Sequence, residues 1–242
     1  MRSGSDSAGK NMFKLAVVLA AGLCLGGCVG STAVGSDNDP YEQTNRRIFT
    51  FNQKLDSYAL KPTAERYVKY VPEGVRNAIH NALDNLDGPS IFANELLQGN
   101  PQEAGETAGR FILNTTFGVA GVFDVGSRVG IAEHREDFGQ TLAVWGVGQG
   151  PYLMAPLLGP VNPRDGAGQV VDYAMDPIWY LPIKGRVFWF IGRRYVTIVD
   201  GRARNLDVLD EIERDSIDYY ATTRSLYRQY RQNQIRNGTP PP

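Results

Sequence analysis

The sequence has little cysteine and little histidine, which limits the metal and disulfide chemistry that it can carry. Its 242 residues include two cysteines, Cys24 and Cys28, and two histidines, His80 and His134. A structural zinc site takes about four ligands, so we predict no metal site, and we predict no cofactor. The formal net charge is −1, and the 25 lysines and arginines are scattered. Nucleic-acid-binding proteins normally carry a basic patch, so nucleic acid is not an expected partner.

Catalytic motifs are missing as well. The sequence contains no Gly-x-Ser-x-Gly nucleophile elbow. His134 lies in the charged run Glu133–Asp137, but consecutive residues cannot all point at one ion or reacting atom. A polar loop or a helix cap is the favoured interpretation of this run, and an acid–base pair in a hydrolase is the alternative. We therefore predict a protein that is not an enzyme.

The N-terminal region has the pattern of a secreted lipoprotein. Positive residues precede an apolar run, Leu15–Leu25, which has the length of a signal-peptide core and is too short to span a membrane. The run continues into Leu25-Gly26-Gly27-Cys28, which resembles a bacterial lipobox. We expect residues 1–27 to be a lipoprotein signal peptide and residues 28–38 to be a lipidated tether. An ordinary signal peptide with a chance cysteine is the alternative.

Cys28 is the predicted lipid anchor. Each buried methylene of an acyl chain contributes about 0.8 kcal/mol, so two or more chains hold a protein stably on a bilayer. The next residue is Val29 rather than aspartate, which in enteric lipoproteins is the pattern of the outer membrane. We expect a lipid-anchored protein embedded in the outer membrane from the periplasmic side.

Proline marks the predicted helix starts in the body of the chain. Proline is tolerated in the first turn of a helix, where its missing N–H is not needed. Four helices are predicted to open at Pro40, Pro72, Pro101 and Pro163. The first is predicted to stop before Pro62 and the second at Gly88-Pro89, with a short helix from Ser90 to near Gly99.

The C-terminal third contains one ambiguous segment. Residues 184–200 are rich in aromatic and β-branched residues. We favour a buried or membrane-facing helix here, with a pair of strands as the alternative. From Asn205 onward, apolar residues among charges of both signs predict one long helix. No convincing strand is predicted elsewhere. The expected fold is all-α: one helical domain over residues 39–236, followed by a disordered tail, residues 237–242.

Two uncharged stretches combine large apolar residues with glycine. They are Phe111–Phe123 and Phe138–Pro163. Glycine and proline break the second stretch too often for one spanning helix, yet it is too apolar for a solvated loop. Packing in a soluble core is one interpretation. A protein that lies in one leaflet of the membrane interface is the favoured one, and the second stretch is then a membrane-buried helix and bend.

Short motifs along the chain carry a family resemblance. They include Asp39-Pro40-Tyr41-Glu42, Leu86-Asp87-Gly88-Pro89, Leu97-Gln98-Gly99-Asn100-Pro101, Arg110–Thr115, Gly118–Val125, Glu136–Leu142, Trp145–Gly148, Gly150-Pro151-Tyr152, Leu157–Pro160 and Arg164-Asp165. With these motifs in this order, the sequence resembles the MlaA/VacJ family of outer-membrane phospholipid-transport lipoproteins over residues 39–236.

The resemblance implies a helical, ring-like domain in the inner leaflet of the outer membrane, with an amphipathic channel at its centre. It implies that mislocalised phospholipids leave the outer leaflet through this channel, which maintains lipid asymmetry. The implied partners are phospholipid, a trimeric outer-membrane porin, and a soluble periplasmic lipid-binding carrier that feeds an inner-membrane ABC transporter. A structural lipoprotein that scaffolds porins or envelope partners is the alternative function.

Specific site residues follow from the resemblance and from the glycine pattern. Each of them also has an ordinary interpretation as a helix-packing residue. Paired glycines allow a helix end to pivot, so Gly146 and Gly148 are the hinge candidates. The candidates for the lipid channel are Phe51, Asn52, Gly118, Gly121 and Phe123.

Overall fold

The computed structural model describes residues 38–182 and 184–237, which are mostly helical. Within these ranges the α-helices are α1 (Glu42–Leu55), α2 (Lys61–Tyr70), α3 (Glu73–Gln98), α4 (Pro101–Thr116), α5 (Val125–Arg128), α6 (Phe138–Val144), α7 (Pro163–Met175), α8 (Arg186–Arg204), α9 (Leu206–Asp215) and α10 (Tyr219–Ile235). The predicted all-α fold class is confirmed. The predicted signal peptide, the anchor Cys28 and most of the predicted tail lie outside the described residues.

The first predicted helix end, before Pro62, is wrong. A π-helical turn, Asp56–Leu60, follows α1 directly, and α2 begins at Lys61 with the proline in its first turn. A proline ring clashes with the carbonyl four residues earlier in a regular α-helix. Here that carbonyl belongs to the π turn, whose wider spacing gives the ring room, so the chain stays helical from Glu42 to Tyr70.

The predicted end at Gly88-Pro89 is also wrong. Helix α3 passes through Pro89 and ends one residue before Gly99, which has φ of 83°. Close packing explains the glycine, because a Cβ atom on Gly88 would lie 3.1 Å from the ring of Phe111 in α4. The predicted start of α4 at Pro101 is confirmed.

The stretch 138–163 is mostly not helical. Helix α6 covers seven residues, and a hairpin of two short antiparallel strands follows, β1 (Leu153–Ala155) and β2 (Gly159–Val161). Buried Asn45 of α1 holds this hairpin, because its Oδ1 accepts from the Met154 N–H at 2.9 Å and its Nδ2 donates to the Tyr152 carbonyl at 3.1 Å. The expectation of helix and bend, without strands, is corrected by this hairpin.

The C-terminal third is helical throughout most of its length. The ambiguous segment forms α8, so the alternative of two strands is wrong. The single long helix predicted from Asn205 is two helices, because the chain is not helical between Ser216 and Asp218. The carboxylate of Asp218 accepts from the Ala221 N–H at 3.1 Å and caps α10.

Helices α3, α4, α6, α7 and α8 surround a central cavity, which is the predicted ring-like arrangement. The buried side chains are chiefly polar: in the described ranges sixteen polar or charged residues are buried, against seven apolar ones. Large apolar side chains are instead numerous on the surface. This distribution is the reverse of the one in an ordinary globular protein, where charged residues are almost never fully buried unless paired.

None of the helices in the described ranges is long and apolar enough to cross a bilayer.

Candidate functional site: a polar cavity inside an apolar ring

The cavity has a volume of about 390 Å³. Residues of α3, α4, α7 and α8 line most of it, and the loop of residues 129–137 supplies another part of the wall. Eight acidic side chains and four arginines line it, together with His80 and His134. The cavity is therefore strongly polar and carries more acidic than basic groups.

Ion pairs fix the cavity wall between distant elements. Arg193 of α8 donates to Asp87 of α3 at 2.5 Å and to Asp176, the residue after α7, at 2.6 Å. Arg110 of α4 pairs with both carboxylate oxygens of Asp124 at 3.1 Å. Because each guanidinium has a planar fork of donors, these pairs set the spacing of the helices that meet at the cavity.

Two carboxyl groups at the cavity have raised pKa values. Burial raises the pKa of Glu136 to about 7. The hydrogen bond that Gln98 donates to this carboxylate, at 2.7 Å, lowers the pKa but does not offset the effect of burial. Burial likewise raises the pKa of Asp172 to about 6, although that carboxylate accepts from Asn94 and from the Phe138 N–H. Both groups therefore change charge near neutral pH, inside the cavity.

The two histidines lie against carboxylates. His80 Nδ1 is 2.9 Å from Asp200, and its Nε2 is 3.2 Å from Asp84. His134 lies in the loop of residues 129–137, with Nε2 3.0 Å from Glu106. The polar-loop interpretation of His134 matches this position.

The channel candidates of α1 lie away from the cavity. The described residues that line it include neither Phe51 nor Asn52. Phe51 is half exposed on the outer surface. Asn52 instead holds the hairpin: its Nδ2 donates to the Ala155 carbonyl and its Oδ1 accepts from the Leu157 N–H, both at 2.9 Å.

The other channel candidates form a tight turn next to the cavity wall. A Cβ atom on Gly118 would lie 2.2 Å from the Phe123 carbonyl oxygen, so only glycine fits there. Gly121 has φ of 89° and packs against Asn85, which itself lines the cavity. Phe123 is half exposed, and the residue after it, Asp124, lines the cavity. These three residues shape the wall without lining it.

The two hinge candidates have different backbones. Gly146 has φ of 86° and ends α6, a conformation that favours glycine. Gly148 has an ordinary backbone conformation, and a Cβ atom there would meet nothing within 4 Å. Both lie on the exposed segment between α6 and the hairpin.

The acidic wall residues are the part of the site that the sequence interpretation missed. Asp84 and Asp87 are three residues apart on α3, and Asp172 and Asp176 are four apart at the end of α7. These spacings place each pair on one helix face. Carboxylates repeated on one face of a helix are the signal that could have identified the wall.

The outer surface of the ring is apolar. On α8 the cavity side carries Arg193 and Thr197, whereas Phe188 and Ile191 face outward with 80% and 61% of their surface exposed. Other strongly exposed apolar residues lie on several elements: Tyr58, Tyr70, Phe117, Val119, Leu157, Leu158, Tyr180 and Val187. Where exposed apolar residues form a contiguous patch, a protein or a membrane normally covers it.

Comparisons with known proteins agree with this arrangement. The MlaA intermembrane phospholipid transport system lipoproteins of Haemophilus influenzae and Escherichia coli are each 34% identical over 230 residues, which is 91% of this chain and 89% and 88% of theirs. An uncharacterised protein of Rickettsia bellii is 36% identical over 198 residues, 81% of this chain and 76% of its own.

A solved structure shares the fold. It comes from work on the structural basis for maintenance of bacterial outer membrane lipid asymmetry, and it matches with a TM-score of 0.74 and 35% identity. The match covers 81% of this chain and 98% of that one. The family model of the MlaA lipoprotein matches residues 37–234. The chain therefore belongs to the MlaA lipoprotein family.

Proposed function

We propose that this protein removes mislocalised phospholipids from the outer leaflet of the outer membrane and hands them to a soluble periplasmic carrier, which maintains lipid asymmetry. The observation that carries the proposal is the reversed polarity of the ring, with charged groups around the cavity and apolar groups outside. No bond is made or broken in this process, and the proposal assigns no catalytic residue.

The cavity supplies the path for the lipid headgroup. A headgroup in an apolar medium loses its hydration, and an unpaired charge there is costly. The wall offers both signs of charge, since Arg110 and Arg193 lie among carboxylates that include Asp87 and Asp172. A phosphate and an ammonium group can each meet a partner along such a wall. The acyl chains then follow the apolar side of the ring.

The outer surface supplies the contact with the membrane. Phe117 at the end of α4 and Phe188 and Ile191 on α8 are exposed, and their burial in lipid is favourable by roughly 1.5–3 kcal/mol each. Phe51 and Phe123 are half exposed as well, and in this proposal they also contact lipid. In this proposal the ring lies in one leaflet from the periplasmic side, and acyl chains on Cys28 add to its anchoring.

The proposed partners are those that the family resemblance implies. A trimeric porin gives the ring a fixed place in the outer membrane, and a soluble periplasmic carrier takes the lipid to an inner-membrane ABC transporter. The relatives from H. influenzae and E. coli are named as members of an intermembrane phospholipid transport system, which supports such a chain of partners.

The test uses a substitution that narrows the cavity without changing the outer surface. Gln169 of α7 lines the cavity, and no hydrogen bond of its side chain is found among the described residues, so Gln169→Trp fills space without removing a hydrogen bond. Its neighbour Val170 is exposed and does not line the cavity, so Val170→Trp is the matched control. Each variant is expressed in cells that lack the wild-type gene, and outer-leaflet phospholipid is measured.

We expect Gln169→Trp to leave outer-leaflet phospholipid at the level of the deletion, while Val170→Trp restores the wild-type level. We also expect the detergent-extracted wild-type protein to co-purify with glycerophospholipid. If both variants restore asymmetry equally, the cavity is not the lipid path and the scaffold function is favoured. The amount of membrane-associated protein is measured in each strain, so that loss of the protein is not mistaken for loss of transport.

A further inference from the structure

Three ligand-type side chains meet beside the cavity, outside the ion pairs already described. Glu95 lies near the C-terminal end of α3, Glu103 in the first turn of α4, and His134 in the loop of residues 129–137. One carboxylate oxygen of each glutamate and one ring nitrogen of the histidine all lie within 4.8 Å of one another. Three separate elements of the chain therefore bring metal-ligand atoms to one point.

Glu95 gives an independent indication that something is bound there. Its side chain is completely buried. Its Oε1 accepts from the Thr107 hydroxyl at 2.8 Å, while its Oε2 is buried with no hydrogen-bond partner in the described part of the chain. A buried polar atom left unsatisfied costs about 1–3 kcal/mol, and more when it is charged. A cation held between Glu95 and its two neighbours would remove this cost.

No guanidinium or ammonium group of the described residues supplies that charge. Within residues 38–182 and 184–237, neither Glu95 nor Glu103 has an ion pair with lysine or arginine. Among the described residues, these two glutamates therefore lack the arginine partners that Asp87, Asp124 and Asp176 have at the cavity wall.

Glu106 prepares the histidine for a role as ligand. Its carboxylate lies 3.0 Å from His134 Nε2. When Nε2–H donates to this carboxylate, the neutral imidazole carries its lone pair on Nδ1, which is the form that binds metals. Histidine ligands usually donate their other N–H to a carboxylate in this way.

We propose that Glu95, Glu103 and His134 bind one divalent transition-metal ion, with Zn²⁺ as the expected ion. Imidazole favours zinc-like ions over Mg²⁺ and Ca²⁺, and carboxylates complete the mixed nitrogen and oxygen set that zinc accepts. A water molecule takes the remaining position of the tetrahedron. The ion joins the loop of residues 129–137 to the α3–α4 pair, so it stiffens one wall of the lipid cavity.

The test uses the full-length, detergent-solubilised protein without a histidine tag, because such a tag binds zinc by itself. After treatment with a chelator, ZnCl₂ is titrated by calorimetry, and thermal unfolding is followed by circular dichroism. We expect one ion per chain and a higher unfolding temperature with Zn²⁺, and no comparable effect with MgCl₂.

Variants connect the binding to these residues. Glu103→Gln and His134→Gln should each weaken Zn²⁺ binding by at least about tenfold, as the loss of a ligand requires. Glu73→Gln is the matched control, because Glu73 is an exposed acid in the first turn of α3. Absence of Zn²⁺ binding by the wild-type protein would overturn the proposal. So would equal binding by His134→Gln, whose altered residue lies in a loop and leaves the helices intact.

Discussion

Arg231 joins α10 to two helices of the ring, and removing it tests that role directly. The guanidinium of this α10 residue binds both oxygens of Asp137, at 2.6 and 3.0 Å, and donates from Nε to Asp165 at 2.8 Å. Asp137 caps α6 and Asp165 lies in the first turn of α7, so one side chain joins three helices. We expect Arg231→Met, which keeps much of the side-chain volume, to destabilise the fold.

The size of the loss follows from what remains around the two carboxylates. Removing one partner of a buried pair typically costs about 3–5 kcal/mol, because a buried charge is left uncompensated. Asp165 keeps Arg164 at 2.8 Å, and the Asp137 side chain is 35% exposed to solvent. Both features reduce the cost, so we expect about 3 kcal/mol, or a decrease in Tm of roughly 6–12 °C for a chain of this size.

Arg214→Met provides the matched control. Arg214 pairs with Asp215 at 3.1 Å, but both side chains are more than half exposed, so its loss should change stability by less than about 0.5 kcal/mol. Thermal unfolding of both variants in detergent, followed by circular dichroism, gives the two values of Tm. Equal values for the two variants would show that the ring does not depend on Arg231.

Three further results are expected. Gly168→Ala should destabilise the fold by about 1–3 kcal/mol, since its Cβ atom would lie 2.3 Å from the backbone of Gly139. Gly166→Ala on the same helix has room for the added methyl group and should be neutral or stabilising. Equal unfolding temperatures of the two variants would contradict this packing. Glu136 has a folded pKa of about 7, above its ordinary 4.5, so between these two values the carboxyl group is ionised in the unfolded chain and protonated in the folded one. The stability of the fold should therefore fall as the pH rises from about 4.5 to about 7. Glu136→Gln should flatten the profile of Tm against pH, and an unchanged slope would exclude this group as the cause. Gly148→Val should fold normally, since nothing lies within 4 Å of a Cβ atom at this position. If Gly148 is a hinge, the variant should restore outer-leaflet asymmetry poorly. Full restoration would show that Gly148 is not a hinge.

Local sequence signals predicted the start of α7. They did not predict the helix ends that depend on packing against other parts of the chain. Asn162 caps α7 by accepting from the Asp165 N–H, an interaction within four residues, and the predicted start at Pro163 is confirmed. Pro62 and Pro89 were predicted to end helices. The π turn before Pro62 and the close approach of Phe111 to Gly88 depend on packing that no local pattern contains.

The resemblance implies a central channel, but local sequence patterns could not predict the contacts around the cavity. Its wall is held by contacts between residues far apart in the chain, such as Arg193 with Asp87 and Asn94 with Asp172. A sequence motif relates neighbouring residues, so it connects His134 only with the charged run Glu133–Asp137. The glutamates that face it, Glu95 and Glu103, come from two helices more than thirty residues earlier.

The reversed polarity of the ring also changes what stabilises it. In water, burial of apolar side chains is the main favourable term of folding, yet the described part of this chain buries few of them completely. In the proposed lipid setting that term is largely lost, because lipid tails are as apolar as leucine. Directed polar contacts must then hold the helices together, and Arg193, Arg202 and Arg231 each bind two carboxylates from different elements. Arg193 also lines the cavity, so at this position one side chain contributes both to the polar path and to the stability of the fold.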